Sequence, residues 1–371
     1  MPSPLDPRGG PNAAWLSSLS PWPERFGLER MRELLAELDR PERAFRSVHV
    51  VGTNGKTTTT KRIEALLSGE GVPSGATVSP HVRGWAERIS VNGVEADLDL
   101  ALARVRPSAE RLQATQFEVI TAAAFAEFAA AGVEVAAVEA GLGGRYDATN
   151  VIASEVVVLT NVSLEHTQWL GSTREQIALE KLAVIVPGAK VVLGEGEWET
   201  LAREAGAGSI STVDQGEIAR KAVELVLGRA IGNEKVAAIV PGRFEWRNER
   251  ELWDGAHNPA GVAWLVQHLS RHDWTLVCSI LGEKDVDSML ETLAPLTSTL
   301  VATKSSSPRA LPAAELAARA EGLFERVVAV DDPAQALARG RELAAPDGYL
   351  LVTGSLYLLA DLSSIEEAVG E

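Results

Sequence analysis

The sequence predicts an α/β protein: a parallel sheet with helices on both faces, followed by a smaller α/β domain. Short Val- and Ile-rich runs alternate with Ala/Leu/Glu/Arg stretches of helical period, the pattern of strands buried on both sides. The alternation restarts after the loop PGRFEWRNERE, which sets a boundary near Pro241 and divides the chain into residues 1–240 and 241–371. One stretch, HVVGTNGKTTTTKRI (His49 to Ile63), gathers glycine, lysine and threonine where the first strand gives way to a helix.

Composition bounds the function. The 371 residues are 46% hydrophobic and 23% charged, enough for a sizeable core. A formal net charge of −16 argues against sequence-independent attraction to nucleic acid or an anionic membrane, so an anionic ligand needs a local cluster of donors. The one cysteine, Cys278, lies in the apolar run TLVCSIL and reads as a buried strand residue, which fits a reducing, cytoplasmic setting. No apolar run reaches the ~18 residues of a membrane span, and no early segment has signal-peptide character.

In chain order, SVHVVG is a strand and TTKRIEALLSGEG the helix after it. VITAAAFAEFAAAG is a helix leading to the strand VEVAAVEA; SEVVVLTNV is a strand before the helix TREQIALEKLAVIV, and KVVLGE one before WETLAREAG. In the second part ELWDGAHN, TLVCSIL, STLVAT, ERVVAV and GYLLVTG are strands and AGVAWLVQHL a helix, sufficient for a Rossmann-like domain of its own.

The pattern G-x-x-x-x-G-K-[ST] asks for glycine at position 50, where the chain has Val50, but Gly55, Lys56 and Thr57 are in place and Gly52 lies inside the loop. A strand running through Thr53, Asn54, Gly55, Lys56, Thr57 and Thr58 into a helix offers backbone amides, a helix N-terminus, an ammonium and a hydroxyl for Mg²⁺. Those are the needs of ATP phosphates. The plainer alternative is a glycine turn capped by threonine.

Glu139 ends a strand that is otherwise apolar, and a carboxylate at the carboxyl end of a parallel strand points toward the crevice where such sheets bind ligands. It is read as a Mg²⁺ ligand, against a merely solvated strand-end acid. His166 by itself reads as structural; its place just past the next strand end, near Glu139, favours a ligand. Lys181 by itself reads as a solvated helix lysine.

The motifs GTNGKT, VSPH with ERISVNG, TQFE, EAGLGGRYDATN, EHT, ALEKLAVIVPG, PGRFE, DGAHNP and TGSLY follow one another in an order that resembles the folylpolyglutamate synthase and dihydrofolate synthase family of the Mur ligase superfamily. The resemblance runs from Phe26 to Tyr357. It implies an ATP-dependent ligase that activates the carboxylate of dihydropteroate or a folate as an acyl phosphate and joins it to the amine of L-glutamate. It implies two Mg²⁺ ions held by Ser79, Glu139, His166 and Lys181, the lysine being made anionic by CO₂. With Lys56, the last three form the catalytic set. It implies pterin-side contacts at Thr115, Gln116, Phe117 and Glu118 and at Tyr146, Asp147 and Ala148, nucleotide contacts at Arg243 and Asp254, and glutamate contacts at His257 and Ser355. Asp254-Gly255 otherwise reads as a plain strand-to-turn signal.

Three departures from that pattern stand out. The chain reads GKTT where the family has GKGS; Val82-Arg83-Gly84-Trp85 replaces a leucine-rich continuation of SPH; and STVDQGEIARKAVELVLG keeps a helix without the nucleotide-contacting asparagine of G-x-H-Q-x-x-N-A or its leading strands. The competing readings are a peptidoglycan-type Mur ligase, disfavoured because only about fifty residues precede the phosphate loop, an ATP-binding regulatory or scaffolding homologue, and a simple NTPase. The partners expected are small molecules, with neither nucleic acid nor membrane, and the chain is taken as a monomer.

Overall fold

The computed structural model of the chain describes residues 10–232, 238–269, 273–344 and 348–370. The described residues up to Ala238 form one compact unit and those from Ile239 a second.

The first unit holds eight strands: β1 (Arg46–Val51), β2 (Ser74–Thr77), β3 (Ile89–Val91), β4 (Val94–Glu95), β5 (Val135–Glu139), β6 (Val156–Leu159), β7 (Lys190–Leu193) and β8 (Ser209–Thr212). Their order is β4-β3-β2-β5-β1-β6-β7-β8. β2, β5, β1, β6, β7 and β8 pair in parallel, and β3 and β4 add an antiparallel edge. The pleat of β1 splits its side chains between two cores. Val48 and Val50 pack with Ile63 and Leu67 of the helix Lys56–Gly69 and with the helix Ile218–Leu227, whereas Val51 packs with Ile177 and Leu182 of the helix Arg174–Leu182. The glycine-lysine-threonine stretch therefore leaves the centre of a sheet that is covered on both faces, as the alternating runs predict.

The second unit holds β9 (Glu245–Asn248), β10 (Glu251–Trp253), β11 (Trp274–Cys278), β12 (Thr299–Ala302), β13 (Arg326–Ala329) and β14 (Tyr349–Thr353), in the order β13-β12-β11-β14-β10-β9. All pair in parallel except β9, which runs antiparallel to β10. Cys278 is fully buried in β11, and burial pushes its thiol up to about 12.

Five strands, β2, β3, β4, β8 and β9, escaped the sequence pattern, three of them for identifiable reasons. β2 reads Ser-Gly-Ala-Thr because Phe128 lies over it: a Cβ on Gly75 would fall 2.7 Å from that ring. β9 lies inside what reads as a loop, its burial only partial and its residues polar, as an edge strand permits. β8 is a weakly buried edge strand that leads into the helix Ile218–Leu227, so one leading strand is present after all.

Candidate active site

The loop after β1 is shaped by two glycines, of which Gly52 has no room for a side chain. Gly52 has φ 151°, and a Cβ there would sit 1.8 Å from Thr160 Oγ1. Gly55 has φ 80°, in the left-handed region, and opens the helix Lys56–Gly69 with no side-chain cap, leaving its first-turn amides without a capping oxygen. The rest of the loop is tied to the end of β6: Thr53 N–H donates to Asn161 O at 2.9 Å, Asn54 N–H to Asn161 Oδ1 at 2.9 Å, and Thr160 Oγ1 to Asn54 O at 2.7 Å. Lys56 Nζ folds back on Thr53 O at 3.2 Å. Thr58 lies half-buried in the first turn. This is a preformed cradle of amides with an ammonium at its lip, fit for an anion.

Beside it lies a buried carboxylate. Glu139 pairs in register with Val50 and is 2% exposed; its Oε1 accepts from Thr57 Oγ1 at 3.0 Å and its Oε2 from Ser79 N–H at 3.1 Å. Lys181, expected from the residues alone on a solvated helix face, is only 4% exposed. Its Nζ donates to Gly52 O at 2.7 Å, and burial, with the charge of Lys56 second, lowers its amine to about 7. Thr57, Ser79, Glu139 and Lys181 are thus gathered around the loop. His166 is an exposed residue at φ 51° that opens the short helix Thr167–Leu170, whose Leu170 abuts Gly143. Among the described residues no three of His, Cys, Asp and Glu converge as a metal cage. The candidate set is of another kind, hydroxyl and carboxylate oxygens with a lysine, donors suited to a hard cation.

The residues assigned to the acid substrate divide by how their side chains are used. Thr115 and Glu118 form a capping box for the helix Gln116–Ala130, and Glu118 also takes Arg30 Nε at 2.8 Å. Gln116 binds the N-terminal segment through Ser20 O and Leu16 O. Phe117 is half-buried with its ring against Gly141, where a Cβ would fall 2.7 Å away. Tyr146 is 55% exposed, whereas Ala148 and Asp147 are buried. Trp22, Phe26 and Trp169, which no motif marks as a group, are three exposed rings in edge-on contact at 6.4 and 5.4 Å. Contacts from Ser20 to Gln116, Phe117 to Gly141, Gly143 to Leu170 and Trp169 to Phe26 make these segments neighbours in one circuit.

In the second unit the candidates are held by short-range bonds. Asp254, buried after β10, accepts from Phe244 N–H at 2.7 Å and Ala256 N–H at 2.8 Å; burial raises its pKa, with Arg243 opposing. His257 Nδ1 lies 2.7 Å from Gly255 O, Arg243 Nη1 donates to Gly242 O, and Ser355 Oγ accepts from Tyr357 N–H.

Comparison with known proteins follows the same division. Residues 50–209 match the Mur ligase middle domain and residues 242–356 the Mur ligase glutamate ligase domain. A dihydrofolate synthase/folylpolyglutamate synthase of Mycobacterium tuberculosis is 32% identical over 82% of this chain and 80% of its own. The chain belongs to that family of Mur ligases. Among solved structures, E. coli FolC in complex with DHPP and ADP has a TM-score of 0.86 at 25% identity, over 98% of this chain and 99% of that one. A bifunctional folylpolyglutamate synthase/dihydrofolate synthase with Mn, AMPPNP and L-glutamate bound has a TM-score of 0.85 at 26% identity, over 98% and 100%.

Of the three departures from the family pattern, the missing asparagine falls on a core position. Ile218 stands where the G-x-H-Q-x-x-N-A pattern has asparagine, and it is fully buried in the core. Gln215, at the glutamine of that pattern, donates through Nε2 to Thr160 O at 2.6 Å, reaching the residue that braces the phosphate loop. The glutamine itself was in plain sight in the sequence; its partner, 55 residues earlier, was not.

Proposed function

We propose that this chain is an ATP-dependent ligase that activates the carboxylate of dihydropteroate or a reduced folate and joins it to the amine of L-glutamate. In this reading residues 1–240 are the ATP-binding domain and 241–371 the glutamate-ligase domain. The observation that carries it is the assembly of three functions on one loop: Lys56 at its lip, Thr57 against Glu139, and Lys181 against Gly52 O. The ligands named for the structural relatives, DHPP, ADP, AMPPNP, Mn and L-glutamate, support the same substrate classes.

A carboxylate oxygen of the acid attacks the γ-phosphorus of ATP, giving an acyl phosphate and ADP. The glutamate amine then attacks the acyl carbon; the C–O bond to phosphate breaks, phosphate leaves with its electron pair, and the nitrogen gives up a proton. The first step brings anions together, and Lys56 with the uncapped helix N-terminus offsets that repulsion. Thr57, Ser79 and Glu139 would hold Mg²⁺, with His166 and Lys181 assigned to the second of two ions, and these ions would supply charge neutralisation at the phosphoryl oxygens. Lys181 is assigned as a carbamate, formed when its neutral amine captures CO₂ and releases a proton. Its burial, which lowers the amine to about 7 and so favours the neutral form that captures CO₂, supports this. Phe117 and Tyr146 are assigned to the pterin side, Arg243 and Asp254 to the nucleotide, His257 and Ser355 to glutamate. The enzyme is placed in the cytoplasm as a monomer; no helix among the described residues is long and apolar enough to cross a membrane.

The test is release of ADP and phosphate by the purified chain, with dihydropteroate and with tetrahydrofolate side by side. Release only when both acid and glutamate are present supports the ligase. Release with ATP alone supports an NTPase. The loss of asparagine to Ile218 favours, as second reading, an altered homologue that binds ATP without turnover, and measurable ATP affinity with no release under any condition would establish it.

A further inference from the structure

β1 carries the phosphate loop at its end, but its polar side chains face elsewhere. Val48 and Val50 lie on the core shared with the helix Lys56–Gly69. On the opposite pleat are Ser47 and His49, 4% and 0% exposed, and both are bonded to the segment that follows Asp147. Ser47 Oγ lies 2.8 Å from Ser154 Oγ, and His49 Nε2 lies 2.8 Å from Thr149 Oγ1.

The direction of each proton in this second contact can be deduced. The Asp147 carboxylate receives Leu142 N–H at 2.8 Å, Thr149 N–H at 3.0 Å and the Thr149 hydroxyl. Burial raises the pKa of this carboxyl and these bonds oppose the rise; donors aimed at both of its oxygens favour the carboxylate form. Thr149 has a single hydroxyl proton and gives it to Asp147; toward His49 its oxygen is the acceptor. Nε2 of His49 therefore bears the ring proton and Nδ1 the lone pair. In agreement, Nδ1 is the buried ring atom without a hydrogen-bond partner, which costs less for an acceptor than for a donor.

We propose that His49 is a positioning residue: through Thr149 it holds the carboxylate that organises the loop Gly141–Asn150, and so fixes the substrate loop to the strand that presents the phosphate loop. With both oxygens engaged by donors of its own loop, Asp147 acts as the hub of that loop, which sets Gly141 against Phe117. The two ligand sites share β1, and the His49 branch serves the acid side. The inference rests on the ligase reading for its kinetic consequence, but not for the hydrogen-bond chain itself.

Thr149→Val keeps the shape and removes the hydroxyl. It is expected to raise KM for the pterin acid about tenfold, the loss of one hydrogen bond to a charged group, with KM for ATP within about twofold of wild type. Thr149→Ser should restore the acid KM. His49→Phe should act like Thr149→Val, and the double variant should be no worse than the stronger single one, since both break one chain. Equal movement of both KM values, or Thr149→Val indistinguishable from wild type at unchanged Tm, would overturn the assignment. Nitrogen-15 NMR of the wild-type imidazole gives a readout independent of turnover: a protonated Nε2 and bare Nδ1 support the chain, and the opposite tautomer overturns it. If wild type fails to release phosphate with acid and glutamate, the ligase reading fails, while the NMR result still decides the chain.

Discussion

The loop after β1 and the turn after β10 both follow the carboxyl end of a parallel strand, yet they are built differently. Around the first, bonds join residues far apart in sequence: Lys181 to Gly52 across 129 positions, Thr57 to Glu139 across 82, Ser79 to Glu139 across 60. Around the second they are local, Asp254 to Ala256 and to Phe244, His257 to Gly255. Long-range bonds between functional groups cost chain entropy and burial, and they persist where the fold forces those groups together. Local bonds make a turn. The difference teaches that side-chain loss should strike chemistry at the first site and backbone shape at the second.

The largest effect is expected for Lys181→Ala. Its removal should lower turnover a thousandfold or more while ATP affinity stays within about threefold, because the side chain is assigned to the metal and not to the nucleotide. Single-turnover kinetics beside equilibrium nucleotide binding would check it, and normal turnover would remove the carbamate from the mechanism. Lys56→Ala comes next: both ATP affinity and turnover should fall, by about a hundredfold in turnover, through loss of a charge-assisted phosphate contact. Unchanged nucleotide affinity would count against the phosphate loop.

At the second turn the expected damage is to stability. Asp254→Ala strips acceptors from two N–H groups and should cost about 2 kcal/mol, read as a lower denaturant midpoint, with Asp254→Asn recovering part of it. A stability-neutral Asp254→Ala with lost ATP binding would reverse the comparison and make this carboxylate a direct ligand contact.

How much of this was legible follows from the same distinction. β1, β5, β6, β11 and β14 announce themselves because strands buried on both faces are made mostly of apolar residues. β2 and β9 do not, one shrunk to fit Phe128 and one a polar edge. The glycine loop is readable because Gly52 and Gly55 are demanded by local backbone geometry. The state of Lys181 is not, since a helical lysine looks the same whether it meets water or a carbonyl 129 residues away. The His49–Thr149 contact, spanning 100 residues, is equally silent in the sequence.

That contact also yields the most specific effect. Burial holds the His49 imidazole down at about 3, against an ordinary value of 6.5. Its folded form is thus neutral where the unfolded chain takes up a proton, so below 6.5 the unfolded state binds more protons. The stability this group contributes is present in full above 6.5 and is lost as the pH falls toward 3, at up to about 1.4 kcal/mol per pH unit. Other groups titrate in the same window, so the measurement is a difference: denaturant midpoints between pH 7 and pH 4 for wild type and for His49→Phe. The variant should be less stable at pH 7 and should fall less steeply with acid, the two curves converging. Parallel curves would mean that the folded chain protonates the ring, at Nδ1, as readily as the unfolded one does, and that burial does not hold the imidazole neutral.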